Sequence, residues 1–362
     1  AVTAQGTLRT GEAPRLLQAD SGALGVQLAI SRPVQRAVEA VAASTITNGC
    51  ILVLDTATAA VRASVSVPCY DPERLADSLQ AENSPFLNRA LQSYAVGSVF
   101  KPVLAAAALE AGLQPVFECT GAVVVDGQIF RCAGGVPHGQ VDLAAALEKS
   151  CNGYFIRLGQ QLGAESLLDA AKAFGFGQSL PLAEGLAAEA GQLPAPQELA
   201  QSGQLANFSF GQGSLLAAPM QVAALFNTIA ADGVYRSPYV LQATLDETTG
   251  QPVETLSHPR GRRVISAQNA ALLRAMLVQV VQQGTAQDAA GLSGGAGGKT
   301  GTAQTGQFTP EGTERCNLWF AGFWPAEKPR YTIVVLQDGA VHTAYSGATI
   351  FAQVCNALEA AG

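Results

Sequence analysis

The chain has 362 residues, is 48% hydrophobic and 14% charged, and carries a formal net charge of −7. That much apolar sequence builds a large core and is slightly long for one domain, while the acidic balance and the lack of a basic stripe or basic–aromatic patch exclude nucleic acid as a partner. No run of 18 apolar residues occurs: the two most apolar stretches, 102–116 and 215–231, are interrupted by Glu110 and by Pro219, Gln221 and Asn227, so they read as buried helices and not as membrane spans.

Residues 1–25 are polar and irregular and read as the remnant of an upstream pedestal or linker, which leaves 26–362 as the main domain. Arg32–Ser44 follows a Ser-x-Pro start and spaces Val34, Val38 and Val41 as a helix does. Cys50–Asp55 and Val61–Val67 read as two strands around a short turn, and Asp71–Ala95 as a loop. Ser98–Ala111, rich in Ala and Leu, is a predicted helix stopped by Gly112. Ala122–Arg131 is a predicted hairpin with Asp126-Gly127 as its two-residue turn. Helical stretches follow at Val141–Lys149, Gly153–Leu162 and Glu165–Phe174, then a long surface excursion over 175–204 that is rich in Pro, Gly, Ala and Gln. Pro219–Ala231 and Ala267–Gln283 are predicted helices, and the glycine-rich 291–298 leads into a strand at Lys299–Thr305. Strands at Leu318–Trp324 and Tyr331–Gln337 and a helix at Ala348–Leu358 complete the chain. Neither end holds enough strands for a sheet, so strands from both ends must share one, and short turns imply antiparallel pairing. The predicted fold is α/β: an antiparallel five-stranded sheet packed between helices, with a helical insertion in the middle.

Three short motifs occur once each and in one order. Ser98-Val99-Phe100-Lys101 fits S-x-x-K, Ser150-Cys151-Asn152 fits S-x-N, and Lys299-Thr300-Gly301-Thr302 fits K-T-G-T. Each alone has an ordinary structural reading: Ser98 or Ser150 as a helix cap, Lys101 as a solvated helix residue, Lys299–Thr302 as a plain edge strand. Together they make a chemical set. A serine hydroxyl needs a base within reach, and three helical positions bring Lys101 to the same face as Ser98. Lys101 is a base only when neutral, and burial and a second cation, Lys299, both lower a lysine pKa. Ser150 can relay a proton to a leaving nitrogen, and the Asn152 amide can hold a peptide carbonyl. Thr300 and Thr302 can grip a carboxylate beside Lys299, and the backbone N–H groups of Ser98 and Thr302 can form an oxyanion hole. Gly297, Gly298 and Gly301 are expected to let a ligand approach the strand closely.

These residues resemble the penicillin-binding protein and serine β-lactamase superfamily. Flanking segments narrow the resemblance to the class B penicillin-binding proteins, the monofunctional transpeptidases. Gly211-Gln212-Gly213 followed by Ala218-Pro219-Met220-Gln221 is similar to their G-Q-G-x-x-x-x-[TS]-P-x-Q segment, and Ser66-Val67-Pro68-Cys69-Tyr70-Asp71-Pro72 to their S-x-P-x-Y-D-P. Gly284-Thr285-Ala286 resembles their G-T-A, and Trp319–Phe323 the strand after K-T-G-T. Val96 stands where the family usually has Pro, and Ala59 where it has Gly. The resemblance runs from about Val26 to the C-terminus. It implies a β-lactam-sensitive peptidoglycan D,D-transpeptidase in which Ser98 attacks the D-Ala–D-Ala bond of a stem peptide, releases D-Ala and passes the acyl group to an amine of a neighbouring stem peptide. It also implies a protein at the extracytoplasmic face of the bacterial membrane. Its anchoring N-terminal helix, and the region expected to dock a glycosyltransferase or morphogenesis complex, would lie outside this sequence.

Cys119, Cys132, His138 and Cys151 fall between two of the motifs. Three thiolates and an imidazole make a closed tetrahedral zinc set. The alternatives are a Cys119–Cys132 disulfide and four unrelated packing residues. In the hairpin register an Asp126-Gly127 turn sets Gly121 opposite Cys132, which leaves Cys119 diagonal to Cys132 at roughly 7–8 Å, wide for a disulfide. His138-Gly139 also resembles a segment of elongation-type class B proteins that carry metal ligands nearby, so structural zinc is the expectation. Cys50, Cys69, Cys316 and Cys355 have no evident partner and read as packing residues.

Three rival functions remain: a β-lactam sensor or serine β-lactamase on the same fold, an α/β-hydrolase, and a non-catalytic wall-synthesis scaffold. Gly291-Leu292-Ser293-Gly294-Gly295 matches the hydrolase G-x-S-x-G, but that motif needs a strand before it and a helix after it, whereas here a strand is expected to follow.

Overall fold

The computed structural model describes residues 24–258 and 260–361. Most of the expected linker 1–25 therefore lies outside the described residues. The labelled strands and helices are, in chain order, β1 (Leu24–Leu28), α1 (Arg32–Thr45), β2 (Gly49–Asp55), β3 (Val61–Val67), α2 (Leu75–Leu79), α3 (Lys101–Glu110), β4 (Phe117–Cys119), β5 (Ala122–Val125), β6 (Gln128–Arg131), β7 (Gly139–Val141), α4 (Leu143–Glu148), α5 (Asn152–Leu162), α6 (Ala164–Ala173), β8 (Leu180–Ala183), β9 (Leu186–Ala188), α7 (Pro196–Leu199), α8 (Ser202–Ser209), α9 (Pro219–Ala230), β10 (Leu241–Asp246), β11 (Pro252–Thr255), α10 (Ala267–Gln282), β12 (Gly297–Phe308), β13 (Glu314–Trp324), β14 (Tyr331–Ala340) and α11 (Gly347–Ala361).

The central sheet has five antiparallel strands in the order β12-β13-β14-β2-β3. The near-continuous apolar run of β2 (Gly-Cys-Ile-Leu-Val-Leu) is buried throughout, as a central strand covered on both faces requires. Helices α1 and α11 pack together against the sheet, and α9 packs on β2, β13 and β14 with α10 beside it on β12. All twelve residues of α9 are buried, so it is apolar on every side, the pattern of an interior helix. Its polar side chains are internally satisfied: Asn227 donates to the Thr56 carbonyl and accepts from Thr332. Gln221 donates to the carbonyls of Gly175, Gln178 and Ala190. That single amide ties the 175–190 segment to the start of α9.

Several expectations change. The Ala-rich helix does not begin as an α-helix at Ser98: Gly97–Phe100 is a 3-10 turn, and α3 starts at Lys101. The stretch expected as helix from Val141 begins with β7, which pairs with β4. The excursion 175–204 is not wholly on the surface: it contains the β8–β9 hairpin and buries Phe176, Leu180, Leu182, Ala188 and Leu199 in the main core. A small second sheet, β1-β10-β11, has no counterpart in the sequence reading, because its strands are too exposed to alternate cleanly. Cys69 is exposed and Cys316 half-buried, so only Cys50 and Cys355 of the unpartnered thiols serve as packing. Ala59, which replaces the usual glycine, keeps a left-handed φ of 62°. Gly291–Gly295 lies in turns that run into β12, so the strand–turn–helix setting of a hydrolase nucleophile is not formed.

Candidate active site

The 3-10 turn that carries Ser98 lies directly against β12. A Cβ on Gly97 would meet the Thr302 carbonyl oxygen at 2.7 Å, and one on Gly301 would meet Val99 at 3.0 Å. Gly97 also has φ +66° and donates its N–H to the Gly211 carbonyl at 2.8 Å. A Cβ on Gly211 would in turn collide with the Gly97 carbonyl. Three segments far apart in sequence therefore close on one another through glycines, and this explains the first glycine of the G-Q-G segment. The expectation for Gly297 and Gly298 is corrected. A Cβ there would strike the Phe323 and Phe320 rings at 2.3 and 2.4 Å. It is the chain's own aromatic side chains, and not a ligand, that occupy the space these glycines leave.

A 3-10 turn stacks residues i and i+3, which sets Lys101 one turn above Ser98. Lys101 is fully buried. Its Nζ donates to the Ser150 carbonyl (2.8 Å), the Ser150 hydroxyl (3.1 Å) and Asn152 Oδ1 (2.7 Å). Among the described residues no hydrogen bond reaches the Ser98 hydroxyl, which is half-buried. Burial pushes the Lys101 amine down to about 7, while the Cys151 and Cys132 sulfurs act to raise it. Lys299 is also fully buried, and first burial and then the charge of Lys101 hold it well below the ordinary lysine range. The second-cation argument thus applies more to Lys299 than to Lys101.

The S-x-N segment is a helix–helix junction. Ser150 N–H donates to Leu147 O and Cys151 N–H to Ala146 O, the paired bonds that close a helix in which the residue after the cap is left-handed. Glycine usually holds that place, but here Ser150 has φ 53°. A serine held in left-handed backbone costs about 1 kcal/mol or more, a cost found mostly where function fixes the residue. Cys151 then caps α5 by accepting from Tyr154 N–H. Asn152, the first residue of α5, donates Nδ2 to the Arg131 carbonyl at 2.9 Å. This link to β6 had no sequence signal, because a backbone carbonyl leaves none.

On β12 the side chains alternate: Lys299, Gly301 and Ala303 face the interior, and Thr300, Thr302 and Gln304 face outward. β12 is an edge strand, so one side of it is not paired within the central sheet. The Lys299 amine donates to Thr300 O (3.1 Å) and lies 3.5 Å from Thr300 Oγ1. The Thr300 hydroxyl is 2.7 Å from that of Thr285.

Cys119, Cys132, His138 and Cys151 converge, with one donor atom from each lying within 4.8 Å of all the others. Cys119 Sγ is 3.6 Å from Cys132 Sγ and 3.4 Å from His138 Nδ1, and Cys132 Sγ is 3.8 Å from Cys151 Sγ. The hairpin has the expected register, with Val125 opposite Gln128 and Cys132 N–H on Gly121 O. All seven cysteines are free thiols, so the Cys119–Cys132 disulfide is not formed. The structure thus brings together all four of these residues, joins Lys101, Ser150 and Asn152 by hydrogen bonds and sets Lys299 against Thr300; among the described residues the Ser98 hydroxyl and the Thr302 side chain make no hydrogen bond to them.

A family model described as the penicillin-binding protein transpeptidase domain matches residues 49–358. The chain is 32% identical over 335 residues to the peptidoglycan D,D-transpeptidase PbpA of Mycolicibacterium smegmatis, which covers 87% of this chain and 67% of that protein. Among solved structures, the D,D-transpeptidase domain of a peptidoglycan glycosyltransferase from Eggerthella lenta superposes with a TM-score of 0.83 at 27% identity, over 93% of this chain and 83% of the other. The ceftriaxone acyl-enzyme complex of penicillin-binding protein A from M. tuberculosis gives 0.82 at 27% identity, over 93% and 79%.

Proposed function

The chain belongs to the penicillin-binding protein transpeptidases, serine acyltransferases of peptidoglycan synthesis, and on that premise we propose that its reaction runs through Ser98. The Ser98 oxygen attacks the carbonyl carbon of the D-Ala–D-Ala bond of a stem peptide, and its proton passes to neutral Lys101. The N–H groups of Ser98 and Thr302 receive the developing oxyanion. Ser150 delivers a proton to the leaving nitrogen, free D-Ala departs, and an ester remains on Ser98. The amine of a neighbouring stem peptide attacks that ester and forms the cross-link. Its proton returns to Ser98 by the same groups. Lys299, Thr300 and Thr302 hold the terminal carboxylate, and the second N–H of Asn152 Nδ2 remains for a substrate carbonyl. A β-lactam enters the same path, but its leaving amine stays tethered to the acyl group.

The observation that carries this reading is the Lys101 amine. Its contacts serve both of its charge states. As a neutral amine it can give its two N–H groups to the Ser150 carbonyl and Asn152 Oδ1 and keep its lone pair for the Ser98 proton, and as a cation it can donate to all three groups around it. A base that alternates between these states needs a pKa near the working pH, and about 7 meets that need. The test is intact-mass spectrometry after incubation with benzylpenicillin. The expected result is one stable penicillin adduct on the wild type and none on Ser98→Ala. Fast release of hydrolysed penicillin would favour a β-lactamase, and a folded wild type that never acylates would favour a scaffold.

A second reading concerns the cysteine cluster, for which we propose a structural zinc ion. Tetrahedral coordination with Zn–S of about 2.3 Å sets neighbouring sulfurs at roughly 3.8 Å, and the sulfur separations of 3.6 and 3.8 Å fit that edge. Bound there, the ion would supply no chemistry and would join β4, the β5–β6 hairpin and the S-x-N junction. Elemental analysis should give one zinc per chain with the thiols protected, whereas oxidised thiols without zinc would remove the proposal. We further propose that 26–362 is the transpeptidase domain of a longer, membrane-anchored protein at the extracytoplasmic face, with a glycosyltransferase or morphogenesis complex as partner.

A further inference from the structure

The turn ahead of β12 carries one hydroxyl that the reaction above does not use. Gly284 donates its N–H to Val280 O at the end of α10. It fits only as glycine, since a Cβ would stand 2.5 Å from the Glu148 carbonyl. The next residue, Thr285, donates its N–H to that same Glu148 carbonyl at 3.3 Å, two residues before Ser150. Its side chain points the other way, to the strand, and meets Thr300 Oγ1 at 2.7 Å. Thr285 therefore bridges the end of α4 and the K-T-G-T strand, and the contact between the two hydroxyls is exposed.

A threonine hydroxyl has one proton to give and two lone pairs to receive. Thr300 Oγ1 has the Lys299 amine on one side at 3.5 Å and Thr285 on the other. With Thr285 donating into Thr300, both neighbours fill acceptor positions, and the Thr300 proton is left for a third group. That group must be an acceptor, and beside a lysine it is best an anion. We infer that Thr285 is a positioning residue for the substrate carboxylate: it fixes the Thr300 hydroxyl as a donor toward the terminal carboxylate of the stem peptide, or toward the ring carboxylate of a penicillin. This rests on the reading that Lys299–Thr302 holds that carboxylate.

The experiment compares acylation of the same protein by benzylpenicillin and by its methyl ester, which lacks the negative charge. The readout is the ratio of the two second-order rate constants for wild type, Thr285→Val and Thr285→Ser. A ratio cancels the folded fraction of each preparation. The acid-over-ester preference should fall about tenfold in Thr285→Val, the size of one charge-assisted hydrogen bond, and return to within about threefold of wild type in Thr285→Ser, which keeps the hydroxyl. A preference that persists in Thr285→Val overturns the inference and leaves the carboxylate site standing. A wild type with no preference for the acid overturns the carboxylate site itself, and this inference with it.

Discussion

Two regions meet at the tripeptide Ser150-Cys151-Asn152 and hold their side chains in opposite ways. On one side, Lys101 and Lys299 are fully buried and stand on α3 and the central sheet. The core fixes them. On the other side, Cys119, Cys132 and His138 come from short strands and turns between residues 117 and 138, around which Val116, Val124, Ile129 and Val136 are exposed. Apolar packing there is a small satellite cluster, Val125 and Phe130 against Ile156 and Ala206, and the four donors add a second set of side-chain contacts to it. Where a core exists, it can carry catalytic groups at an electrostatic cost. Where it is small, specific side-chain bonds add to it.

The strongest way to break this contrast is Lys101→Met, which removes the proposed base and keeps the length of the side chain. Acylation by penicillin should fall about a thousandfold, within the range for loss of a general base. The thermal midpoint should stay within about 2 °C of wild type, because an apolar side chain replaces a buried amine that makes no ion pair among the described residues. The substituted methionine would still pack against the Phe155 ring, over which the Lys101 amine lies at 5.5 Å. A midpoint that fell steeply would mean that the amine's bonds to Ser150 and Asn152, and not the core, hold the seam together.

The seam was also the more legible region. S-x-x-K, S-x-N and K-T-G-T are read from side chains at fixed spacing, and β2 announced itself by its apolar run 50–54 and β3 by alternation. Elements defined by contact partners were not legible. β7 is a strand only because β4 lies beside it, and α8 sits in a stretch whose Gln, Ser and Gly content reads as loop. The glycines before Lys299 were visible but misread, since nothing in the sequence says that Phe320 and Phe323 cover them. The four donors of the cluster were found because three thiols and an imidazole fall in one short segment between two motifs, and the hairpin turn, which fixes its own register, spoke against a disulfide. The Asn152–Arg131 bond was not found, because it uses a backbone oxygen.

A weaker but sharper test is pH. Lys101 is a base only when unprotonated, and its folded pKa is depressed by burial to about 7. Acylation should therefore rise with pH, reach half its maximum near pH 7 and drop about tenfold between pH 8 and pH 6. The stopped reaction quenched at intervals and read by mass gives the profile directly. A flat profile over that span would mean that Lys101 is already neutral well below pH 6, or that another group takes the proton.

The smallest effect on rate is expected from the cluster, and it comes with the largest effect on stability. Cys132→Ser leaves every motif side chain in place. Arg131, whose carbonyl receives Asn152, is the residue before Cys132, and Cys151 is the residue before Asn152. Loosening the cluster therefore frees both ends of one hydrogen bond at the active site without removing a catalytic group. About 1 kcal/mol of lost alignment would slow acylation roughly fivefold. The fold, deprived of one of the four donors that tie the 117–141 region to the S-x-N junction, should lose about 3 kcal/mol, at the upper end for a single substitution, and about 6 °C in thermal midpoint. Lys101→Met and Cys132→Ser then form a crossed pair, one costing rate and sparing stability, the other costing stability and largely sparing rate. If both variants lost rate and stability in the same proportion, the two regions would be one cooperative unit, and the division of labour between core and side-chain bonds would have to be given up.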